Sequence, residues 1–340
     1  MAFSQIIDKE TPMRLVLLGA VCALCAFAGN PDREVLTQAF AFADAPVPVF
    51  RHGYLVTFPP VRGPFNSFSV FARDGRLAFE KTIELPGAGS SVSIADVDLD
   101  ADGNVAVAAH APGSGGCMLH VVLVLDRTGR QTKLINTGCF VVGHLAIGPD
   151  HSIWTLGWQR APGSTEEDWQ DYMIVRRFTM DGKQVSAFLP RSLFPKGLEP
   201  GSPGGDLGIQ VTPGRVGVLV YAGTTSKNRE WVELDLNGKI VERLRVDNVR
   251  SPTQFAFTAD NHVYFQGEGG GGSLLTLDNA LDALKSVPKQ ATNLMGADGN
   301  DLVYQGGCCG EVNLQWFSQP LDLEPPLAPL IDGSLTTPKL

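Results

Sequence analysis

A repeat of about 50 residues is the feature that most restricts how this chain can fold. Four segments align without gaps, each with an apolar first residue, a polar residue before Gly, and a basic residue at its end. They are FARDGR (71–76), LDRTGR (125–130), FTMDGK (178–183) and LDLNGK (234–239). Their glycines are 54, 53 and 56 residues apart, and a weaker fifth copy lies at 275–282. Gly at this position suits a tight hairpin that needs a positive φ, and the basic residue suits the start of an exposed return strand.

A second, more apolar kind of hairpin lies between these segments. It consists of two apolar runs around a turn, and it occurs at 92–111, 141–158, 207–223, 251–267 and 292–307. Strands that are buried on both faces lose the alternation of polar and apolar residues, whereas exposed strands keep it. We therefore expect the second kind to be the inner hairpin and the first kind the outer hairpin.

One inner and one outer hairpin together form a four-stranded antiparallel sheet, and radial repetition of such sheets gives a β-propeller. Residues 47–58 supply one further inner hairpin, and residues 311–323 one further outer strand. The 312 residues after position 28 then divide into six units of about 52 residues. The 38 glycines and 23 prolines also favour many short strands joined by turns. The sequence thus predicts an all-β, six-bladed β-propeller of four-stranded antiparallel blades; a β-helix has shorter coils, and a sandwich does not explain the period.

The alternating apolar-Asp-x-x-Gly-Lys/Arg and x-Asp-Gly-Asn-apolar-x-Val hairpins resemble those of NHL-type and related six-bladed β-propellers. The resemblance covers nearly all of the chain after its N-terminal segment. It implies a propeller fold and no single activity, because this superfamily includes ligand-binding scaffolds, lactonases that use a divalent metal, and lyases.

The N-terminal residues have the pattern of a secretory signal peptide. Leu15 to Ala28 form an apolar run after Arg14, and the run ends in a small-x-small sequence. We expect residues 1–28 to be the signal peptide, with translation starting at Met1 or Met13; an uncleaved membrane anchor is the alternative. Residues 29–44 then form an N-terminal segment, residues 45–325 the propeller, and residues 326–340 a Pro-rich tail. The mature protein is expected to be extracytoplasmic, either periplasmic or secreted, without a membrane span.

Cleavage after Ala28 leaves four cysteines in a compartment that permits disulfides. Cys117 and Cys139 flank a predicted hairpin, so we expect them to form a bridge. Cys308 and Cys309 are adjacent; they can close a strained vicinal ring, stay reduced, bind a soft metal, or belong to a rigid surface turn.

Propellers bind ligands at the axis, so equivalent positions on the inner strands can be compared. We count back nine residues from the first apolar residue after each inner turn, which gives Asp96, His144, Gln254 and Asn293. Asp206 lies near the equivalent place in the fourth repeat. A polar ring around the axis follows. It can bind a small ligand or a divalent ion such as calcium or magnesium, or it can simply line a water-filled channel.

Binding or scaffolding of an unknown small molecule or protein partner is the function that these features favour, with a monomeric protein. The alternative is a metal-dependent hydrolase of the lactonase or esterase kind, or a lyase, with Asp96 or Asp206 as the base. The net charge of −9 argues against nucleic acid as a partner. Zinc-site, P-loop and Gly-x-Ser-x-Gly motifs are absent from the sequence. Loops 159–171 and 189–205 could carry an aromatic platform of Trp158, Trp169 and Phe194.

Overall fold

A computed structural model describes most of the chain in twelve stretches. These are residues 31–40, 48–59, 65–86, 91–113, 118–159, 171–201, 207–226, 228–246, 254–266, 274–276, 293–306 and 311–318. Several predictions concern residues outside these stretches and stay predictions. They are the expected signal peptide, the Pro-rich tail, and the roles of Cys117, Trp169, Asp206, Cys308 and Cys309.

The described residues form 23 β-strands in six antiparallel sheets. Sheet 1 contains β2 (Val49–Arg51), β3 (Tyr54–Thr57), β4 (Ser67–Ala72) and β5 (Leu77–Thr82). Sheet 2 contains β6 (Ser93–Leu99), β7 (Val105–Pro112), β8 (Met118–Leu125) and β9 (Gln131–Asn136). Sheet 3 contains β10 (Phe140–Ile147), β11 (Ile153–Gln159), β12 (Met173–Phe178) and β13 (Gln184–Pro190), and a short 3₁₀ helix, Arg191–Leu193, follows it.

The second half of the chain forms the other three sheets. Sheet 4 contains β14 (Gly208–Val211), β15 (Val216–Tyr221), β16 (Arg229–Leu234) and β17 (Ile240–Arg245). Sheet 5 contains β18 (Gln254–Phe257), β19 (Val263–Gln266) and β20 (Leu274–Thr276). Sheet 6 contains β21 (Asn293–Asp298), β22 (Asp301–Gly306), β23 (Asn313–Phe317) and the N-terminal strand β1 (Arg33–Val35).

The fold is an all-β propeller of four-stranded antiparallel blades. The predicted number of six such blades is wrong: within the described residues five sheets have four strands, whereas sheet 5 has three. The difference falls on sheet 5, where the weakest copy of the outer repeat, with Asn279 and Ala280 in place of the turn Gly, lies outside the described residues from 277 onward. Without that Gly, the sequence lacks the residue that most easily adopts the positive φ of the outer turn.

In sheets 1 to 4 the inner and outer hairpins are placed as predicted. The first strand of each of sheets 1 to 6 packs against the first strand of a neighbouring sheet, as β6 does with β10 and β10 with β14. Strand β10 is buried at every residue, whereas five of the six residues of the outer strand β9 are exposed. This contrast is the burial difference that the apolar and alternating sequences indicate.

The outer turns depend on their glycines. Gly238 has a φ of 84°, and a Cβ atom there would lie 1.9 Å from the ring of Phe188 in the preceding sheet. Any side chain at this position would therefore be strained by the backbone and would clash with its neighbour. The turn Gly thus also allows one sheet to pack closely on the next.

Sheet 6 is completed by both ends of the described chain. Strand β1 pairs with β23, with Arg33 opposite Trp316, and the Arg33 guanidinium lies 4.5 Å from the centre of the Trp316 ring. The propeller therefore includes residues ahead of the predicted boundary at residue 45. In the described part of the chain, none of the helices has the length and apolar character needed to cross a membrane.

Candidate functional site

Three aspartates alternate along and just after the inner strand β6. Asp96, Asp98 and Asp100 are two residues apart, so their side chains share one face of the strand. A bulge between Ile94 and Asp96 precedes them, and the pairing with β7 is regular from Asp96 onward. The three carboxylates therefore form a column on one side of β6.

Each of these carboxylates contacts sheet 3. Asp96 Oδ2 accepts a hydrogen bond from the Leu145 backbone N at 2.9 Å, and Asp98 Oδ2 accepts one from the Ile147 N at 2.6 Å. Asp100 Oδ2 lies 2.9 Å from His151 Nδ1. Strand β10 is the edge strand of sheet 3 and pairs with no strand of sheet 2. The buried backbone N–H groups on that edge therefore need side-chain partners. The column therefore joins the two sheets through side chains.

Gln210 on β14 joins sheets 4 and 5 in the same way. Its Nε2 donates to the Phe255 carbonyl at 3.1 Å, and its Oε1 accepts from the Phe257 N at 2.7 Å. Both polar atoms of this buried side chain are thus used between sheets.

A cavity of about 440 Å³ lies where the inner strands end and their turns begin. All six sheets contribute residues to its wall, which places it on the propeller axis. Representative lining residues, in sheet order, are Arg51, Asp98, Ala146, Gln210, Phe257 and Ala297. The wall is mainly apolar with a few converging polar groups, and this is the usual character of a small-molecule site.

Asp98 is, with Asp100, one of two buried carboxylates among the described residues of this wall. Its side chain is 2% exposed, and its Oδ1 atom accepts no hydrogen bond among the described residues. The nearest cation is Arg51, whose Nε lies 3.6 Å from Oδ1, beyond good hydrogen-bond length. Burial raises the pKa of Asp98 to about 6, while His52 and Arg51 act in the opposite direction. Asp98 Oδ1 is therefore a buried atom that accepts no hydrogen bond from the described residues.

Asp100 and His151 form a second polar group beside Asp98. Asp100 accepts hydrogen bonds from the backbone N of Asp102 at 3.0 Å and of Asn104 at 2.8 Å, and from the Asn104 side chain at 2.9 Å. Its hydrogen bond with His151 raises the pKa of that histidine. Asp100 is thus the cap of the inner turn of sheet 2.

In the described stretches, one group of at least three His, Cys, Asp or Glu side chains could hold a metal ion. It consists of Asp100, Asp102 and His151, with ligand atoms within 4.8 Å of one another. The fit is poor because both Asp100 oxygens already accept the bonds of the turn and of His151. We therefore interpret this group as a turn cap.

Asp96 and His144, two of the predicted site residues, lie together. His144 Nδ1 is 3.9 Å from Asp96 Oδ2, and burial raises the pKa of Asp96 while His144 lowers it. Both Asp96 oxygens accept backbone hydrogen bonds, from Val97 at 2.8 Å and from Leu145 at 2.9 Å. The pair holds sheet 2 against sheet 3 and is not part of the cavity wall.

The other predicted site residues are not brought to this pair. Asn293 donates from Nδ2 to Gln305 Oε1 at 2.9 Å, within its own sheet. The backbone of Gln254 begins β18, and its side chain lies outside the described part of the chain, as does Asp206. A ligand role for these residues stays a prediction.

The sequence interpretation missed Arg51, Asp98, His151 and Gln210, which line the cavity. The positions compared in the sequence lie in the middle of β6 and β10 and at the start of β18 and β21, whereas the cavity lies at the ends of the inner strands. The alternation Asp-x-Asp-x-Asp at 96–100 was the available clue, because three carboxylates on one face of an apolar inner strand are costly without partners.

Two further predictions concern surface features. Cys139 is exposed and forms no disulfide with another described residue, and its expected partner Cys117 lies outside those residues, so the bridge stays a prediction. Phe194 of the expected aromatic platform is buried in the core, with Arg243 5.1 Å from the centre of its ring. Phe194 therefore serves packing.

Comparison with known proteins yields similarity at the level of fold. No protein-family model and no curated protein matches the sequence. Among solved structures, a protein of unknown function from Bacteroides caccae is similar, with 15% identity over 74% of this chain and 81% of that one, at a TM-score of 0.47. Virginiamycin B lyase from Staphylococcus aureus has 12% identity over 84% and 98% of the two chains, at a TM-score of 0.42. The WD40 domain of Neurospora crassa Pan2 has 11% identity over 77% and 72%, at 0.44.

The class that the fold defines is thus the β-propeller, with a polar and apolar cavity on its axis. Similarity at these identities does not carry an activity from the neighbours to this chain.

Proposed function

We propose that this protein binds a small molecule in the axial cavity. The observation that carries the proposal is the cavity itself, which all six sheets line and whose mainly apolar wall includes the polar side chains Arg51, His151 and Gln210.

The size of the cavity supports a compact organic ligand. About 440 Å³ lies within the range of small-molecule sites, which is about 300–1,000 Å³. Phe257 and Val211 supply apolar wall, and Arg51 and Asp98 supply polar contacts. A ligand with both apolar and polar faces fits this arrangement.

The alternatives from the sequence have less support. A metal-dependent hydrolase or lyase needs free ligand atoms, but the oxygens of Asp96 and Asp100 already accept hydrogen bonds from the protein. A scaffold for a protein partner would use an outer surface or the long loops, and loop residues 160–170 and 202–206 lie outside the described part. Small-molecule binding is therefore the function we put forward, with export of the protein as a further part of the proposal.

The test is a ligand screen with a blocked cavity. Ala259 lies at the exposed rim of the cavity, so Ala259→Trp should fold and fill the entrance. Ala78 is exposed on the outer strand β5, and Ala78→Trp is the matched control. Neutral sugars, amines, carboxylates and aromatic compounds are screened by saturation-transfer NMR against the three proteins.

We expect at least one compound to bind the wild type and Ala78→Trp and to lose binding in Ala259→Trp. If every compound that binds does so equally well to Ala259→Trp, the axial cavity is not the binding site and the proposal is wrong.

A further inference from the structure

Two histidines meet at one end of sheet 2. His110 on β7 lies directly opposite His120 on β8, and opposite residues of antiparallel strands share one face of the sheet. This face packs on sheet 3, since Ala108 and Val122, two residues along each strand, belong to the same apolar cluster as Phe140. The Nδ1 atoms of the two histidines are 2.9 Å apart, and their ring planes form an angle of 74°. Two ring nitrogens thus converge on one place between the sheets.

This end of sheet 2 is distant from the axial cavity. Ser93, the first residue of β6, lies opposite His110, whereas Asp98 on the cavity wall is five residues further along the strand. A strand rises about 3.3 Å per residue, so the two places are about 16 Å apart along β6. Both histidines are partly exposed, which leaves the pair open to an ion from solution.

Both rings are in the neutral form at neutral pH. Burial and the neighbouring His120 lower the pKa of His110 to about 4, while the Val142 backbone acts in the opposite direction. Burial also lowers the pKa of His120. Neutral imidazole is the form that binds metal ions, so neither ring has to lose a charge before it coordinates one.

A single proton between the two Nδ1 atoms accounts for their contact in the metal-free protein. One ring donates from Nδ1 and the other accepts, because a neutral imidazole has one donor and one acceptor nitrogen. If that proton moves through water to Nε2 of the donating ring, only the tautomer changes, and two Nδ1 lone pairs become available to one ion. The contact is therefore a hydrogen bond that a metal ion can replace.

The distance between the two nitrogens favours one kind of ion. Imidazole nitrogens bind first-row transition metals at about 2.0 Å, so two nitrogens 2.9 Å apart form an angle of about 90° at a shared ion. Neighbouring ligands of square-planar or tetragonal Cu²⁺ form this angle, whereas the tetrahedral geometry of Zn²⁺ needs nitrogens about 3.3 Å apart. Cu²⁺ also binds nitrogen ligands most tightly among the divalent first-row ions.

We propose that His110 and His120 bind a copper(II) ion through their Nδ1 atoms, at the end of sheet 2 away from the axial cavity. This site goes beyond the proposed small-molecule function and does not depend on it, so either can fail while the other stands.

The first experiment is a titration of the full chain, without an affinity tag, with Cu²⁺ and separately with Zn²⁺. Free thiols are first blocked with iodoacetamide, because thiolates also bind copper. Isothermal titration calorimetry in the presence of glycine as a weak competitor gives stoichiometry and affinity. We expect one Cu²⁺ per chain, bound at least about tenfold more tightly than Zn²⁺.

Two measurements on the wild type locate the ion. Pulsed electron paramagnetic resonance should detect two coordinated imidazoles, through the nitrogen of each ring that is remote from the metal. In NMR spectra, paramagnetic Cu²⁺ should broaden the amide signals of Ala109 and Val121, which adjoin the pair, and should spare those of Gly148 and Val211 at the axial cavity.

His110→Gln and His120→Gln each remove one ligand. The matched control is His262→Gln, because the side chain of His262 is 57% exposed and lies in sheet 5, just before β19. We expect each of the first two variants to lose copper affinity at least about tenfold, and the control to change by less than about twofold. Circular dichroism establishes that each variant is folded.

Unchanged copper affinity in folded His110→Gln and His120→Gln would show that the assignment is wrong. Weak binding of several ions per chain, with equal loss in His262→Gln, would mean adventitious binding only and would also overturn it. If neither of the first two variants folds, the wild-type spectra decide: broadening that is not centred on Ala109 and Val121 contradicts the site.

Discussion

Aspartates of the inner strand and of the outer turns have opposite environments. Asp126 lies in the outer turn of sheet 2 and accepts hydrogen bonds from the backbone N of Thr128 at 2.9 Å and of Arg130 at 3.1 Å. Its hydrogen bonds to Thr128 and Arg130 hold its pKa well below the usual range. Asp98 lies at the axis of the same sheet, is buried, and has a pKa raised to about 6. One residue type therefore caps a turn in one region and lines a cavity in the other.

The difference teaches which residues of a repeat carry a special role. Thr179 and Asp235 occupy the same turn position as Asp126 in other sheets and accept the same kind of backbone hydrogen bond, from Lys183 at 3.1 Å and from Lys239 at 2.9 Å. One carboxylate on another inner strand, Asp298 at the end of β21, also lines the cavity, and it is paired with Arg73. The repeated residues maintain the fold, and the non-repeated ones give the axis its chemistry.

Gln210→Ala should produce the largest loss of stability. The substitution leaves the Phe257 N–H and the Phe255 C=O without partners at a buried position. We expect the free energy of unfolding to fall by about 4 kcal/mol, since each unsatisfied buried group costs about 1–3 kcal/mol. Urea unfolding followed by circular dichroism measures this, with the exposed Gln131→Ala on β9 as control. Equal losses in the two variants would remove the distinction between inner and outer polar residues.

Asp98→Asn should change how stability depends on pH. The pKa of Asp98 rises from 3.8 to about 6 on folding, so between these values the folded chain holds a proton that the unfolded chain has released. Wild-type stability therefore falls as the pH rises through this window, by up to about 3 kcal/mol. The Asp98→Asn variant lacks this fall. Its stability relative to the wild type should increase between about pH 4 and about pH 7. Parallel pH curves for the two proteins would contradict the raised pKa.

Asp126→Asn should have the smallest effect, with the opposite pH dependence. The pKa of Asp126 is lowered on folding, so its charge stabilises the fold above the unfolded value of 3.8, and this contribution is lost as the pH falls below it. We expect a small loss of stability near neutral pH that diminishes in acid. The same unfolding experiment measures it. A loss that grows in acid would show that the outer turn does not depend on the carboxylate.

Much of the architecture could be predicted from the sequence because the turn chemistry is local. Gly129 and Gly238 have φ values of 77° and 84°, as the repeated hairpin requires. Strand β1 could not be found in this way, since three residues, Arg33–Val35, are too few to show alternation. Its strand is determined by pairing with β23, which is distant in the sequence.

The sequence indicated a polar region at the axis but did not identify the residues that line the cavity. The inner strands do carry polar groups at the axis. The predicted positions Asp96 and His144, however, connect sheet 2 with sheet 3. The cavity begins two residues further along β6, at Asp98. Alternation shows which face a residue occupies, and it does not show at which depth the strands separate enough to leave a cavity.

The pairing of β1 with β23 has a consequence for how the protein is made. Arg33 is synthesised early, whereas its partner Trp316 emerges from the ribosome near the end of synthesis. Sheet 6 therefore cannot close the ring until almost the entire chain is available, although sheets 1 to 4 are each built from a continuous stretch of chain. Contacts this distant in sequence form slowly. We expect the open ring to be the long-lived intermediate of folding, with the edge of β23 as the surface that a chaperone would need to protect.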